Sequence, residues 1–376
     1  MKFITLVENL KKAVILAERI TSKNITLPIL SNILIETNKN QIHLKATDLE
    51  IGAEINVSGK TEKEGKVVIP ARTFSDFLNS LPEEKITLEA KENNLKAESG
   101  KFKTIFQGYS SEDFPIIPQI KTDKFIEIEK GILKEGLEQV ILSISYSANF
   151  PELTSVLFKM EQEGLKLVGT DRYRLAVKTI SLQKIKTNLK EGFEVLVPLR
   201  TVQEVLKMLA EKLEDESEII TISPDPNQIQ FSTENIRLIS RLINAEYPNF
   251  KDAIPTNFEN QVILKRADLK EAIKVIGIFS GKINEVKFKF NPLKKEVILE
   301  AQDPTLGQSE TLLDAVEIKT NPLEIAFNYR FFLDGLESSK GEEVFIGLNK
   351  ENSPALIRGK DENDFLYVLV PSLTVS

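Results

Sequence analysis

Cysteine is absent from the 376-residue chain, and histidine occurs only once. The absence of cysteine excludes disulfides, thiolate catalysis and cysteine-based metal sites. The single histidine, His43, lies in the pattern Ile42-His43-Leu44 of a predicted strand, which favours an ordinary exposed strand residue over a catalytic one. The scarcity of these two residue types therefore disfavours several enzyme classes at the outset.

Long apolar runs and an excess of positive charge are also missing. No apolar segment approaches the roughly 20 residues that span a bilayer, and no secretory leader pattern is found, so we expect a soluble, cytoplasmic protein. Lysine and arginine total 49 against 56 acidic residues, a net charge of −7. This balance disfavours a groove-reading transcription factor, but it is compatible with one local basic surface that contacts phosphates.

Catalytic signatures are missing as well. The sequence has no glycine-rich phosphate loop with lysine, no dinucleotide-binding glycine fingerprint, no zinc-protease helix and no serine elbow. We therefore expect no enzymatic activity, no cofactor and no metal. One alternative is a magnesium-dependent nuclease or phosphatase built from Asp48, Asp171 and Asp303. Because related positions in successive domains lie far apart, and because aspartate favours turns, three turns are the preferred interpretation.

What the chain does contain is one unit repeated three times, without a long linker between the copies. Each unit opens with an apolar helical stripe at the i, i+3, i+4 and i+7 positions. The stripes are Leu10, Ala13, Val14 and Ala17; Leu133, Gly136, Leu137 and Val140; and Leu269, Ala272, Ile273 and Ile276. The copies are offset by 123 and 136 residues, about one small domain each.

A second predicted helix follows in each unit, with strand-like alternation between and after the helices. Its apolar positions are Phe74, Phe77, Leu78 and Leu81 after Pro70; Val202, Val205, Leu206 and Leu209 after Pro198; and Phe332 and Leu336 after Asn328. The strand-like segments before it end in the related sequences Ala46-Thr47-Asp48, Gly169-Thr170-Asp171 and Ala301-Gln302-Asp303. This order predicts an α+β fold of three domains, 1–121, 122–256 and 257–376, each with two helices packed on antiparallel sheet.

An arginine follows the start of each second helix, at Arg72, Arg200 and Arg330. The helix dipole favours acidic residues at this end, so another cause should select these cations. If the domains are related by rotation, the arginines share one surface and form a cationic band suited to phosphate contacts. The alternative is three solvated arginines or structural ion pairs.

Over essentially its whole length the sequence resembles the bacterial DNA polymerase III beta subunit family of sliding clamps. The segments that carry the resemblance are Leu27-Pro28-Ile29-Leu30, Ala46-Thr47-Asp48-Leu49-Glu50, Pro70-Ala71-Arg72, Asp113-Phe114-Pro115, Thr170-Asp171-Arg172-Tyr173-Arg174-Leu175-Ala176-Val177 and Tyr367-Val368-Leu369-Val370-Pro371. The resemblance implies a head-to-tail homodimer whose six domains form a ring around double-stranded DNA. The implied protein partners are the DNA polymerase III alpha subunit, the clamp loader, and other DNA polymerases and repair proteins with clamp-binding peptides. A scaffold that binds proteins without DNA is a further alternative.

The resemblance also implies three sets of site residues. DNA contact is implied for Arg72, with Lys23 and Asn24 where the family has an arginine before Thr-Leu-Pro. The dimer interface would place Ile278 and Phe279 against Lys101, Thr104 and Phe106. The partner-peptide pocket has Arg172 and Tyr173 where glycine and histidine are common in the family. Its implied members are Leu153, Thr170, Arg172, Tyr173, Arg174, Leu175, Pro248, Asn328, Phe331, Pro354, Val368, Val370 and Pro371.

Overall fold

The helices occupy the predicted places in all three repeats of the computed structural model, which describes residues 1–21, 27–38, 41–82, 84–211 and 217–372. They are α1 Val7–Ile20, α2 Ala71–Ser80, α3 Lys130–Ile141, α4 Leu199–Ala210, α5 Arg266–Ile276 and α6 Tyr329–Ser338. Every apolar position predicted for α1, α3 and α5 is buried. The helical periodicity was therefore a reliable guide to these elements.

The strands follow the same order in each repeat. In the first repeat they are β1 Lys2–Leu6, β2 Asn32–Asn38, β3 Gln41–Thr47, β4 Ile51–Val57, β5 Lys60–Lys63, β6 Gly65–Pro70, β7 Lys85–Lys91, β8 Asn94–Ser99 and β9 Phe102–Phe106. In the second they are β10 Ile126–Glu129, β11 Ser155–Glu161, β12 Gly164–Thr170, β13 Arg174–Ser181, β14 Ile185–Thr187, β15 Glu194–Pro198, β16 Ile219–Pro224, β17 Gln228–Ser232 and β18 Ile236–Arg241. In the third they are β19 Asn260–Lys265, β20 Glu285–Asn291, β21 Glu296–Asp303, β22 Gly307–Asp314, β23 Glu317–Lys319, β24 Leu323–Asn328, β25 Glu343–Leu348, β26 Ala355–Gly359 and β27 Phe365–Leu369.

The chain forms two compact units, of which the first comprises Met1–Lys134, Gln183–Leu189 and Arg200–Leu242. It contains a five-stranded sheet in the order β5-β1-β7-β8-β9 and a nine-stranded sheet in the order β14-β10-β16-β17-β18-β4-β3-β2-β6. Helices α1 and α2 pack against each other, and α1 also packs on β3 and β4. The buried stripe of α1 thus covers the end of the nine-stranded sheet that the first repeat supplies.

The second unit comprises Glu135–Leu182, Lys190–Leu199 and Ile243–Ser376. Its nine-stranded sheet has the order β15-β11-β12-β13-β27-β26-β25-β19-β23, and its four-stranded sheet has the order β22-β21-β20-β24. Helix α5 packs on α6 and on β21 and β22. The rings of Phe288, Phe327 and Phe332 meet at centroid distances of 4.7 to 5.5 Å, which ties α6 to the four-stranded sheet.

All sheet pairings are antiparallel, and the α+β class is confirmed, but the sheets do not follow the repeats. Each nine-stranded sheet joins five strands of one repeat to four of another, through β18 and β4 in the first unit and through β13 and β27 in the second. An ion pair between Arg237 and Glu54 reinforces the β18–β4 junction. Since the middle repeat supplies strands to both units, the domain boundaries near residues 121 and 256 remain predictions. None of the described helices is both long and apolar enough to cross a membrane.

Candidate functional site

A cleft of about 190 Å³ lies in the second unit, beside the junction of β13 and β27. Leu175 of β13 pairs directly with Val368 of β27, and both side chains belong to a buried apolar cluster that also includes Phe250. The lining residues are Thr170, Arg172, Tyr173, Arg174, Leu175, Pro248, Asn249, Phe250, Ala253, Pro354, Val368 and Val370. The β13–β27 cleft therefore has a buried apolar floor and a more exposed rim, which suits an apolar ligand group.

The turn from Thr170 to Arg174 forms one rim of this cleft. The Asp171 carboxylate accepts hydrogen bonds from the N–H groups of Tyr173 and Arg174, both at 3.0 Å. Thr170 Oγ1 accepts from the N–H of Arg172 at 3.2 Å and donates to the carbonyl of Arg174 at 2.7 Å. These bonds hold Arg172 at φ 80°, a left-handed conformation that glycine adopts more easily. The Arg172 guanidinium lies 4.9 Å from the centre of the Phe150 ring.

Arg174 has a different role from Arg172, because its side chain is only 9% exposed. Its guanidinium donates to Asp171 at 2.9 Å, forms an ion pair with Asp334, and lies 4.2 Å from the centre of the Phe331 ring. Burial raises the pKa of Asp334, and the positive charge of Arg174 opposes that rise. Arg174 therefore connects the turn to α6 and fixes Phe331 beside it.

The hydroxyl group of Tyr367, on β27, makes a further contact with α6. It donates a hydrogen bond to the carbonyl of Phe331 at 2.7 Å, and burial raises its pKa, so the proton is retained. The first turn of α6 is thus bound both to β13 and to β27. These contacts anchor the lining residue Arg174 to α6.

Most residues implied for the partner pocket lie in the cleft lining, and four do not. Leu153 is a buried core residue, and Pro371 is buried as well. The Asn328 side chain caps α6 by accepting from the N–H groups of Arg330 and Phe331, while Phe331 lies under Arg174. Their roles in binding stay predictions.

Three lining residues, Asn249, Phe250 and Ala253, were not predicted from the sequence. They belong to a short 3-10 helix, Phe250–Ala253, and to the residue that precedes it. A helix of one turn has no apolar periodicity to detect. The preceding Tyr247-Pro248 pair was the available signal, because proline often marks the start of such a turn.

The three helix-start arginines have different surroundings. The Arg72 side chain is 76% exposed and lies 4.0 Å from Asp76, whereas Arg200 forms a close ion pair with Asp48. Arg330 is exposed beside the Tyr329 ring. Two of the three therefore form ion pairs within the chain, and the role of all three in DNA contact stays a prediction. The other two implied DNA contacts, Lys23 and Asn24, lie outside the described residues.

The three related aspartates form equivalent turns, as predicted. Asp48 accepts from the N–H groups of residues 50 and 51 at 3.0 and 2.7 Å, and Asp171 accepts from its corresponding pair at 3.0 Å. Asp303 accepts from the N–H groups of residues 305 and 306 at 2.8 and 3.1 Å. In the described part of the chain, no group of three or more His, Cys, Asp or Glu side chains is arranged to hold a metal ion.

The residues implied for the dimer interface lie in two places, on a 3-10 helix of the second unit and at the edge strand β9 of the first unit. In the second unit Ile278 is 67% exposed on the 3-10 helix Gly277–Phe279, and Phe279 beside it is half-buried. In the first unit Lys101 lies just before β9 and Thr104 within it, but Phe106 is buried, with its ring 5.3 Å from those of Phe74 and Phe77. The exposed apolar side chain of β9 is Ile105, at 61%, which the sequence analysis missed.

Comparisons with known proteins agree on one family. Models of the DNA polymerase III beta subunit match the N-terminal domain at residues 1–118, the central domain at 127–249 and the C-terminal domain at 251–373. The chain is 29% identical to the beta sliding clamp of Chlamydia muridarum, covering 99% of this chain and 98% of that protein. It is 26% identical to the beta sliding clamp of Bacillus subtilis, with both chains covered completely.

Solved structures give the same result. The DNA polymerase sliding clamp from Bacillus subtilis has a TM-score of 0.91 at 25% identity, covering 100% of this chain and 99% of that one. The DNA polymerase III beta subunit from Thermotoga maritima has a TM-score of 0.90 at 25% identity, with both chains covered completely. The similarity therefore extends over the whole chain and is not confined to one domain.

Proposed function

The chain belongs to the DNA polymerase III beta subunit family and is a DNA sliding clamp for polymerase processivity, and we propose that two copies close head to tail around duplex DNA. In this proposal a cleft on each copy then recruits partner proteins through short peptides. The family consists of non-catalytic processivity factors, and we extend that property to this chain. Its place of action would be the cytoplasm.

The observation that supports the proposed dimer is a pattern of strand pairing between repeats that a single chain leaves incomplete. Five strands of the second repeat join four strands of the first repeat where β18 pairs with β4. In the same way, five strands of the third repeat join four strands of the second where β27 pairs with β13. The remaining five-strand group ends at β9, and the remaining four-strand group ends at β22. An unpaired strand edge is a template for pairing with another chain. Pairing β9 of one copy with β22 of the other, twice, would complete the pattern and close the assembly.

The side chains at these two edges are complementary. Lys101 and Lys103 lie at β9, whereas Glu310 and Asp314 lie on β22, so opposite charges would meet across the junction. Ile105 is exposed on β9, and Leu312 on β22 is also exposed. Burial of such apolar side chains would supply most of the binding energy, and the charges would set the direction of pairing.

DNA would be held by enclosure rather than by tight contact. A net charge of −7 opposes strong general binding to DNA. Exposed arginines such as Arg72 and Arg330 would make weak, salt-dependent phosphate contacts that carry no sequence information. Arg200 would contribute less, because Asp48 already neutralises it. Weak contacts of this kind permit sliding.

The β13–β27 cleft is the proposed site for partner peptides. Its buried floor of Leu175, Val368 and Phe250 can accept apolar anchor side chains, and the polar groups of the rim can orient an extended peptide. The proposed partners are the polymerase III alpha subunit, the clamp loader, and other polymerases and repair proteins that carry such peptides. One cleft per copy would make these partners compete.

Sedimentation velocity tests the closed dimer directly. At micromolar concentration the purified chain should sediment as a species with the mass of two chains, because the exposed edges are satisfied in pairs. A strictly monomeric chain at that concentration would refute the proposed assembly. Larger open-ended oligomers would also refute it, since they would show that the two edges pair without closing.

A further inference from the structure

The proposed peptide cleft carries one uncompensated cation, Arg172. From its setting we infer that the cleft prefers peptides with an acidic side chain next to the apolar anchors. Arg172 would then be a specificity-determining residue of this clamp. The inference rests on the peptide-binding role proposed above.

The position of the Arg172 side chain is constrained from two directions. Its backbone is held at φ 80° by the hydrogen bonds of the Thr170–Arg174 turn, and its guanidinium lies against the Phe150 ring at 4.9 Å. Arginine also stacks well on an aromatic face while its N–H groups remain directed outward. A cation placed in advance loses little freedom when a ligand binds, which favours affinity.

The charges around the cleft leave Arg172 available. Among the described residues Arg172 forms no ion pair, and its contact is with the Phe150 ring. The other cation of the lining, Arg174, is already paired with Asp171 and Asp334. No Asp or Glu belongs to the lining residues. Arg172 is therefore the cation at the rim that has no carboxylate partner in the described part of the chain.

Two charged residues lie near the cleft outside its lining, and only one of them is in an ion pair within the described ranges. Lys251 forms an ion pair with Glu161 at 2.8 Å, and Asp252 accepts a hydrogen bond from Asn249 at 2.8 Å. A peptide lying in the cleft would meet Arg172 as the cation of the lining that has no ion-pair partner among the described residues. The planar guanidinium can bind a carboxylate through two parallel hydrogen bonds, whereas it repels lysine.

A peptide scan tests this inference. Overlapping peptides from the polymerase III alpha subunit of the same organism are screened by fluorescence anisotropy. In the tightest binder, each position outside the apolar anchors is replaced in turn by Asp, Asn and Lys. At one or two positions, Asp should bind about fivefold more tightly than Asn, the upper range for a partly exposed ion pair, and Lys should bind more weakly than Asn.

Three variants test whether Arg172 causes the preference for Asp over Asn. Arg172→Gln should reduce the preference for Asp over Asn to within about twofold, because the positive charge is removed. Arg172→Lys should keep part of the preference, because the charge remains without the planar fork. Lys294→Gln changes the net charge equally on an exposed turn and should leave the preference intact.

The outcomes separate this inference from the function on which it rests. If peptides bind but Asp is never favoured, or if the preference survives in Arg172→Gln, the inference is overturned and the cleft remains a peptide site. If no peptide binds the unaltered protein, both are overturned. The Asp, Asn and Lys scan on the unaltered protein decides the first question even if a variant fails to fold.

Discussion

Two arginines of one turn illustrate how strongly a residue's role depends on its surroundings. Arg174 is buried between two carboxylates, whereas Arg172 is exposed and has none. Arg174→Ala would leave Asp171 and Asp334 without their cation, so we expect the free energy of unfolding to fall by about 2–3 kcal/mol. Arg172→Ala should change it by no more than about 0.5 kcal/mol. Urea denaturation followed by circular dichroism measures both, and equal losses would contradict this distinction.

The buried floor of the cleft supports a second prediction about a single residue. Leu175→Ala should weaken binding of a clamp-binding peptide by about 1–3 kcal/mol, because it removes part of the buried floor of the β13–β27 cleft. Leu167 is also fully buried but does not line the cleft, so Leu167→Ala is the matched control for lost core packing. Anisotropy titrations should show lower affinity only for the first variant. Equal affinity for both variants would remove Leu175 from the site.

Single residues also show what the sequence can and cannot reveal. The three aspartate turns were predictable because aspartate accepts hydrogen bonds from the backbone a few residues later. The pairing of Arg200 with Asp48 was not, since it joins residues of different repeats that only the fold brings together. The exposure of Ile105 in place of Phe106 was missed for a similar reason. Alternation along a strand does not say which face an edge strand buries.

At the scale of elements, helices were predicted more completely than sheets. A helix is stabilised along its own length, so its apolar stripe can be read from nearby residues. The pairing of β4 with β18 joins residues such as Ile55 and Ile236, and no local pattern records that choice. The sequence therefore predicted the order of helices and strands, but not that the sheets would cross from one repeat to the next.

The 3-10 helix Gly277–Phe279 of the second unit supports a prediction about assembly. Replacing both Ile278 and Phe279 with Asp should convert the proposed dimer to a monomer, because the proposed interface would then bury unpaired charge. Leu293→Asp is a suitable control, since Leu293 is 95% exposed on the turn between β20 and β21. Sedimentation velocity should give monomer for the double variant and dimer for the control. A double variant that stays dimeric would place the interface elsewhere.

At the scale of the whole molecule, the repeats and the acidic charge favour the same account. A protein with a net charge of −7 has little direct affinity for DNA, yet a clamp must remain on DNA while a polymerase copies it. Enclosure resolves this conflict, because retention then depends on ring closure rather than on contact strength. The repeat pattern and family resemblance predicted this function from sequence, while the free edges β9 and β22 became visible only in the fold.

The most direct measurement of this central claim compares circular and linear DNA. The protein is loaded onto a nicked circular duplex with the clamp loader of the same organism, and the bound fraction is followed by gel filtration. A restriction enzyme then cuts the circle once. Enclosure predicts that the protein stays on the uncut circle and is lost from the cut molecule as it slides off the ends. Equal retention on both forms would contradict enclosure and show that direct contact holds the protein on DNA.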